Sequence, residues 1–137
     1  MILEPQLAGV PVPRPSGESQ PYWEGAARGE LLFQRCVACG AANFGPGVSC
    51  RSCQSGGLMW ERSAGLGAVY SWTVVWRPQT PAFAVPYAPA IVRLDEGYDM
   101  VSALIGLDPS EIRPGLRVTV HFRRLTDEIH VPFFGPA

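Results

Sequence analysis

The segments Cys36-Val37-Ala38-Cys39 and Cys50-Arg51-Ser52-Cys53 contain all four cysteines of the chain, with ten residues between them. A two-residue gap lets both sulfurs of a pair turn toward one point, so two such pairs supply the thiolates of a tetrahedral zinc site. Gly40 follows the first pair, where the turn needs a residue that tolerates left-handed backbone or a close approach. After the second pair, Gln54-Ser55-Gly56-Gly57 is predicted to give the backbone similar freedom, one residue later than in the first pair. One structural Zn²⁺ per chain is therefore predicted. Its predicted ligands are Cys36, Cys39, Cys50 and Cys53.

Other uses of the four cysteines are two disulfide bonds, a redox-active pair, or an iron site in an electron carrier. The zinc interpretation is preferred because the N-terminus lacks the basic region and apolar stretch of a signal peptide. The protein is therefore predicted to be cytoplasmic, where cysteines stay reduced. A zinc ion held by four cysteines has no open position for water or substrate, so the predicted site is structural.

The composition limits both the size and the partners of the protein. A chain of 137 residues forms one domain, or one small domain plus a zinc module. Its 15 glycines and 14 prolines favour short strands and turns over long helices. No apolar run reaches the ~18 residues of a membrane span, and the net charge of −1 argues against nucleic acid. All eleven basic residues are arginines, whose planar guanidinium suits phosphate or carboxylate.

The first half of the chain divides into an arm and a zinc-binding unit. Residues 1–17 are predicted to form an extended arm or linker, because four prolines exclude a regular helix or central strand. This arm is either disordered or laid along a partner. Residues 18–63 begin with a short helix, delimited by Pro21 in its first turn and Gly29 at its end. Two strands that flank the cysteine pairs are predicted to form the sheet of the ribbon, residues 31–35 and 58–62.

Residues 64–137 alternate short strands with turn residues, which predicts a five-stranded barrel of the OB type. A fragment of a β-sandwich is the alternative. The third strand is apolar on both faces and is predicted to be central, and the last is predicted to end at Pro132. Alternation places four side chains of the first strand on one face, Tyr70, Trp72, Val74 and Trp76. The predicted strands are residues 69–76, 90–94, 100–105, 116–123 and 128–131. The predicted fold class is mainly β, with an N-terminal helix and zinc ribbon before the barrel.

The sequence shows no constellation of catalytic residues. The metal takes every thiol, and His121 and His130 stand singly in strands, where histidine is more often solvated or satisfied. A strained nucleophile turn is absent, as is a phosphate-binding glycine loop with lysine. By elimination, the chain is predicted to be a binding or scaffold subunit and not an enzyme on its own.

Two apolar segments indicate a surface for a partner. Between Arg77 and Arg93 the chain is rich in proline and carries no charge, although a loop that faces water rarely contains so many apolar groups. The apolar C-terminal segment is likewise predicted either to contact a partner or to pack on its own barrel. The loop folded back over its own barrel is the alternative. The predicted interface residues are Phe83, Val85, Tyr87, Phe133 and Phe134.

The order of these parts resembles the DUF35 family over residues 18–135. The resemblance rests on the helix around Tyr22-Trp23, the Cys-x-x-Cys-Gly ribbon and the strand Gly67 to Val75, and also on Asp127-Glu128 and Pro132-Phe133. It implies a rubredoxin-like zinc ribbon followed by an OB-fold. It also implies an accessory subunit for thiolase-superfamily enzymes that act on acyl-CoA, either free-standing or fused behind a hydratase-like domain.

Among the settings that the resemblance implies, a steroid side-chain retro-aldolase is preferred. The partner would be a thiolase-like enzyme of the lipid-transfer-protein type in a hetero-oligomer, with acyl-CoA near the interface. The alternatives are a CoA-channelling subunit of a thiolase, HMG-CoA synthase or acyltransferase complex, and an OB module whose Trp72 and Trp76 stack on single-stranded nucleic acid. Four arginines near the ribbon and first barrel strand are the candidate contacts to CoA phosphates, Arg28, Arg35, Arg51 and Arg77.

Overall fold

The computed structural model describes all residues from Met1 to Ala137, and its first unit is a helix joined to a small sheet. Helix α1 (Gln20–Ala27) begins with Pro21 in its first turn and ends before Gly29, whose φ is +77°. Three antiparallel strands follow in the spatial order β2-β1-β3. Their bounds are β1 (Leu32–Cys36), β2 (Ala42–Asn43) and β3 (Leu58–Arg62). The predicted helix and the two strands that flank the cysteines are thus confirmed.

The second unit is a closed five-stranded barrel with the spatial order β4-β5-β6-β8-β7. Neighbouring strands are antiparallel except β6 and β8, and pairing of β4 with β7 closes the barrel. A 3₁₀ turn, Pro109–Glu111, connects β6 to β7. This is the OB topology, so the predicted fold class is confirmed. The strand bounds are β4 (Leu66–Trp72), β5 (Ala88–Leu94), β6 (Asp99–Leu104), β7 (Arg117–Arg124) and β8 (His130–Pro136).

The single apolar face predicted for the first barrel strand is wrong at both ends. A β-bulge between Val69 and Ser71 leaves Tyr70 outside the regular alternation, and its side chain is exposed. The strand ends at Trp72, so Trp76 lies beyond it and is also exposed. Only Trp72 and Val74 pack against the core. A bulge adds one residue to one strand and shifts every later side chain, which alternation alone does not predict.

The C-terminal strand also differs from its prediction, because it continues through Pro132 instead of ending there. β8 pairs with β7 from His130 to Pro136, and the side chains of Phe133 and Phe134 are buried within the chain. The prediction that these two phenylalanines contact a partner is therefore wrong. The proline is tolerated because its missing N–H faces a side of β8 that has no strand partner at this position.

The first residues of the N-terminal arm pack on the barrel of their own chain. Leu3 is buried in the main core, and its backbone exchanges hydrogen bonds with Leu107 (2.9 Å) and Gly106 (2.9 Å). The side-chain amide of Gln6 both donates to and accepts from the backbone of Ala84, at 2.8 and 2.9 Å. These contacts hold Leu3 and Gln6 against the barrel. Side chains this far apart in sequence meet only in the folded barrel.

The ribbon and the barrel share one hydrophobic core. The ring of Tyr98 from the barrel stacks between those of Phe33 and Phe44 from the ribbon unit, at centroid distances of 4.9 and 5.3 Å. At the junction, the Glu96 carboxylate accepts hydrogen bonds from the Ser63 hydroxyl (2.7 Å) and the backbone N–H of Ala64 (2.8 Å). These contacts fix how the two units sit against each other. Among the helices, none has both the length and the apolar character to span a membrane.

Candidate metal centre

The four cysteine sulfurs converge on one point at the end of the ribbon sheet. All four Sγ atoms lie within 4.8 Å of one another. The Cys36–Cys53 and Cys39–Cys50 separations are 3.6 and 3.7 Å. Four sulfurs placed 2.3 Å from a tetrahedral zinc would be about 3.8 Å apart, so the donor set fits Zn²⁺. No disulfide is formed, since all four cysteines are free.

The first cysteine turn has the backbone geometry that its glycine predicted. The N–H of Gly40 donates to the carbonyl of Cys36 at 2.8 Å, and Gly40 has a φ of +78°. The N–H of Val37 donates to the carbonyl of Gly57 at 2.8 Å, which ties this turn to the far side of the second pair. The turn therefore aims the Cys36 and Cys39 sulfurs inward while the chain reverses direction.

The second turn repeats this geometry without a glycine. The N–H of Gln54 donates to the carbonyl of Cys50 at 2.9 Å, and Gln54 has a φ of +67°. Gln54 thus occupies the position that corresponds to Gly40. The prediction that the permissive backbone position lies one residue later than in the first pair is wrong, because the turn closes directly after Cys53. A side chain in left-handed backbone is strained by roughly 1 kcal/mol.

These two positions give a matched test of backbone strain in the cysteine turns. Gly40→Ala is expected to lower the free energy of unfolding by about 1 kcal/mol, because alanine is strained at positive φ. Gln54→Gly is expected to raise it by a few tenths of a kcal/mol, since relief of strain exceeds the extra entropy lost by glycine. Urea unfolding of the zinc-loaded protein measures both changes. Equal destabilisation by the two variants would contradict this account.

Asn43 on β2 is a buried support of the metal centre that the sequence pattern does not predict. Its side-chain oxygen accepts from the N–H of Arg51 at 2.9 Å, and its side-chain nitrogen donates to the Cys50 sulfur at 3.5 Å. Hydrogen bonds from the backbone N–H of Cys53 and from this amide lower the pKa of the Cys50 thiol to about 6. The surroundings therefore favour the thiolate that a zinc ion binds.

Gln34 and Arg51 hold the ten-residue loop between the cysteine pairs. The buried Gln34 amide accepts from the N–H of Gly47 (3.0 Å) and donates to its carbonyl (3.2 Å). The Arg51 guanidinium donates to the carbonyls of Phe44 and Gly45. The sequence does contain a signal for this role of Gln34. It lies inside the apolar run that leads to Cys36, and a buried amide needs a fixed hydrogen-bond partner.

The four arginines proposed for CoA phosphates are not brought together into one site. Arg28 pairs with Glu30, and Arg35 makes a bidentate ion pair with Glu61. Arg51 is held by the loop carbonyls described above. Only Arg77, in the segment after β4, has no ion pair or side-chain hydrogen bond within the chain. Their contact with CoA stays a prediction.

The remaining predicted interface residues lie in the loop that joins β4 to β5. An isolated bridge between Val75 and Tyr87 extends the hairpin beyond its strands. The ring of Phe83 stacks on that of Tyr87 at 5.3 Å, and both side chains are half-buried. Val85, between them in the loop, is exposed. The loop is therefore ordered by its own aromatic pair and leaves an apolar side chain facing water.

Two sequence models of known domains match consecutive parts of the chain. The ChsH2 rubredoxin-like zinc ribbon domain matches residues 23–58, and the ChsH2 C-terminal OB-fold domain matches residues 60–123. The boundary between them falls at the junction of the ribbon and barrel. Together with the convergence of the four cysteine sulfurs, the first match shows that the ribbon carries one structural Zn²⁺.

Curated relatives include both longer proteins and proteins of similar size. The chain is 37% identical over 129 residues to a probable enoyl-CoA hydratase alpha subunit of Thermomonospora curvata, and 32% identical over 106 residues to the 3-oxo-4,17-pregnadiene-20-carboxyl-CoA hydratase alpha subunit of Mycobacterium tuberculosis. These matches cover 91% and 77% of this chain, but only 40% and 34% of those relatives. A DUF35 domain-containing scaffold protein of Methanothermobacter thermautotrophicus is 33% identical over 104 residues, which cover 74% of this chain and 77% of that protein.

A solved structure shares both the fold and part of the sequence. A chain of the Ltp2-ChsH2(DUF35) aldolase superposes with a TM-score of 0.82 and is 34% identical. The match covers 91% of this chain and 98% of that chain. The ribbon, the barrel and their mutual arrangement therefore occur together in a known complex.

Proposed function

The chain belongs to the DUF35 family, and from this membership we propose that it is a non-catalytic accessory subunit of an aldolase complex that acts on acyl-CoA. The observation that carries the proposal is the match to nearly the whole of one chain of the Ltp2-ChsH2(DUF35) aldolase, at 34% identity. The name of the Mycobacterium tuberculosis relative, a pregnadiene-carboxyl-CoA hydratase subunit, supports a steroid side chain as the substrate. The partner we propose is a thiolase-like enzyme of the lipid-transfer-protein type.

In this proposal, all four cysteine thiolates hold the zinc. Such a site has no open position for substrate, so the metal contributes rigidity and no reaction step. The zinc would clamp the turns at Cys36 and Cys50, and the shared aromatic core would then orient the barrel. The rigid unit presents one defined surface to the partner, which lowers the entropy lost on association.

The bond-breaking chemistry would take place in the partner subunit. A retro-aldol reaction cleaves the C–C bond of a β-hydroxy acyl-CoA and needs a base and a group that stabilises the enolate. No such pair is assigned to this chain. Of the four candidate arginines, we retain Arg77 for a CoA phosphate, because the other three are engaged by partners within the chain.

For the protein interface, we retain the uncharged loop around Phe83, Val85 and Tyr87. Its aromatic pair is already ordered, so docking would immobilise few further side chains. Val85 is the exposed apolar group at its centre. The burial of apolar side chains at the centre of an interface is the usual source of affinity.

Co-expression with a thiolase-like protein of the lipid-transfer-protein type tests the proposal. We expect the two proteins to co-purify as a complex that cleaves a steroid β-hydroxy acyl-CoA, whereas this chain alone shows no turnover. Val85→Asp is expected to weaken the complex at least about tenfold, because a buried carboxylate loses its hydration. The matched control is Val48→Asp, an equally small change at an exposed valine of the ribbon. A chain that remains monomeric beside every such partner would exclude the proposal.

A further inference from the structure

Strand β6 is only partly paired within the barrel. It pairs with β5 along its whole length, from Asp99 to Leu104, but it bridges β8 at a single position, Leu104 with Phe134. If the parallel ladder continued, the residue at position 132 would donate its N–H to the carbonyl of Val101. Position 132 is a proline and has no N–H. Its carbonyl instead accepts from the Ser102 hydroxyl at 3.0 Å, so the seam between β6 and β8 stays open beyond this point.

The register assigns which backbone groups of β6 face this seam. The carbonyl of Pro89 accepts from Thr73 on the β4 side, at 3.1 Å, so it points away from β6. In an antiparallel ladder, two residues opposite each other direct their N–H and C=O groups either both toward the partner strand or both away from it. These two arrangements alternate along the strand. Pro89 is opposite Ala103, and Ile91 is opposite Val101. The N–H and C=O of Val101 therefore face the seam and have no strand partner.

The seam opens into an apolar groove between the barrel and the ribbon unit. Its volume is about 390 Å³. The start of α1 and the cysteine loop form one wall, and β6 with Pro132 forms the other. No acidic or basic side chain lines it. Its lining includes Trp23, Phe44, Pro46, Val101 and Pro132. A charged residue placed there would lose its hydration without gaining a counter-charge, so the groove complements an uncharged occupant.

The outer surface of β6 carries an apolar side chain that no other part of the chain covers. Val101 is 73% exposed on the outer face of β6, between Asp99 and Ala103. The strand is central in the barrel order, between β5 and β8, but its pairing with β8 covers one position and the outer face of Val101 is not covered. An exposed strand edge with apolar side chains is a template for pairing with another extended chain.

We infer that the free edge of β6 at Val101 is a β-augmentation site, where an extended, uncharged and apolar peptide segment of the partner subunit pairs with the barrel. The N–H and C=O of Val101 can pair with the backbone of an extended segment, and the groove accepts the side chains on one side of that backbone. This inference rests on the proposed function, because the segment belongs to the partner of the aldolase complex.

Amide hydrogen exchange in the assembled complex tests this inference. With the chain labelled by ¹⁵N and the thiolase-like partner unlabelled, the Val101 amide is expected to exchange at least about tenfold more slowly than in the free chain. Val101→Pro removes this N–H at a strand edge and is expected to weaken the complex at least about tenfold. The matched control Val101→Thr keeps the backbone groups and the branched shape, and it is expected to change affinity less than about threefold.

The possible outcomes separate this site from the proposed function. A complex that forms while the Val101 amide exchanges as fast as in the free chain would overturn the augmentation site and leave the aldolase assignment standing. Equal loss of affinity in the proline and threonine variants would also overturn it, since side-chain contact alone would then explain binding. If no complex forms, the proposed function fails, and the augmentation site fails with it. The exchange measurement needs no variant, so misfolding of Val101→Pro does not affect it.

Discussion

Replacement of Cys50 by serine is expected to abolish zinc binding and to unfold the ribbon. Its sulfur is fully buried and accepts hydrogen bonds from the Asn43 amide and the N–H of Ser52. Structural zinc binding contributes roughly 10–16 kcal/mol to the folding of small zinc domains at neutral pH. The unfolded ribbon would also withdraw Leu31 and Phe33 from the shared core. We therefore expect a large fall in the melting temperature and not only local disorder.

Metal analysis and amide spectra measure this effect. The native chain is expected to contain one zinc per chain and to be colourless, which also excludes iron, and Cys50→Ser is expected to contain none. The matched control is Ser52→Ala, two residues away at an exposed position, which should retain one zinc and the native spectrum. A Cys50→Ser protein that keeps stoichiometric zinc and a folded ribbon would show that this thiolate is not a required ligand.

Replacement of Phe134 by alanine is expected to lower the free energy of unfolding by about 3–5 kcal/mol. The side chain is fully buried in the main core, and its residue forms the one bridge between β8 and β6. The loss combines the transfer of a phenyl ring to water with the cavity left in a closed barrel. Because marginal stability of a domain is roughly 5–15 kcal/mol, the variant should be strongly destabilised or unfolded at 37 °C.

A matched replacement distinguishes core burial from a role at an interface. Phe83→Ala removes the same ring from the half-buried pair in the β4–β5 loop, and we expect it to cost less than about 1.5 kcal/mol of stability. Its main effect should be on complex formation. Urea unfolding of both variants provides the comparison. If Phe134→Ala were nearly neutral for stability and impaired only association, the C-terminal segment would belong to the interface after all.

The zinc ribbon was predictable because its signals are local. A two-residue spacing between cysteines fixes where both sulfurs point, whatever the rest of the chain does. Gly40 and the strands that flank the pairs agreed with that geometry, and the alternation in Arg117–Arg124 identified a barrel strand in the same way. The buried amides of Gln34 and Asn43 were not predicted as supports, since their partners lie in a loop that only folding brings within reach.

The errors in the arm and the barrel share one physical origin, which is that they depend on contacts between distant segments. The sequence predicts a strand that ends at Pro132, but whether a proline is tolerated depends on which neighbour its missing N–H faces. The prolines near Leu3 predict an arm, but the backbone partners of Leu3 lie more than a hundred residues away. The bulge at Tyr70 changed which side chains point inward. None of these facts can be read from local periodicity.

The sequence by itself determined the four metal-binding cysteines, the mainly β fold class and the family, because each depends on residues close together in the chain or on the order of such groups. Only the tertiary structure decided which apolar side chains remain available to a partner. It buried Phe133 and Phe134, exposed Val101, and left the seam beside Pro132 open. The physical reason is that burial and strand pairing are properties of two surfaces in contact, and a single segment specifies only one of them.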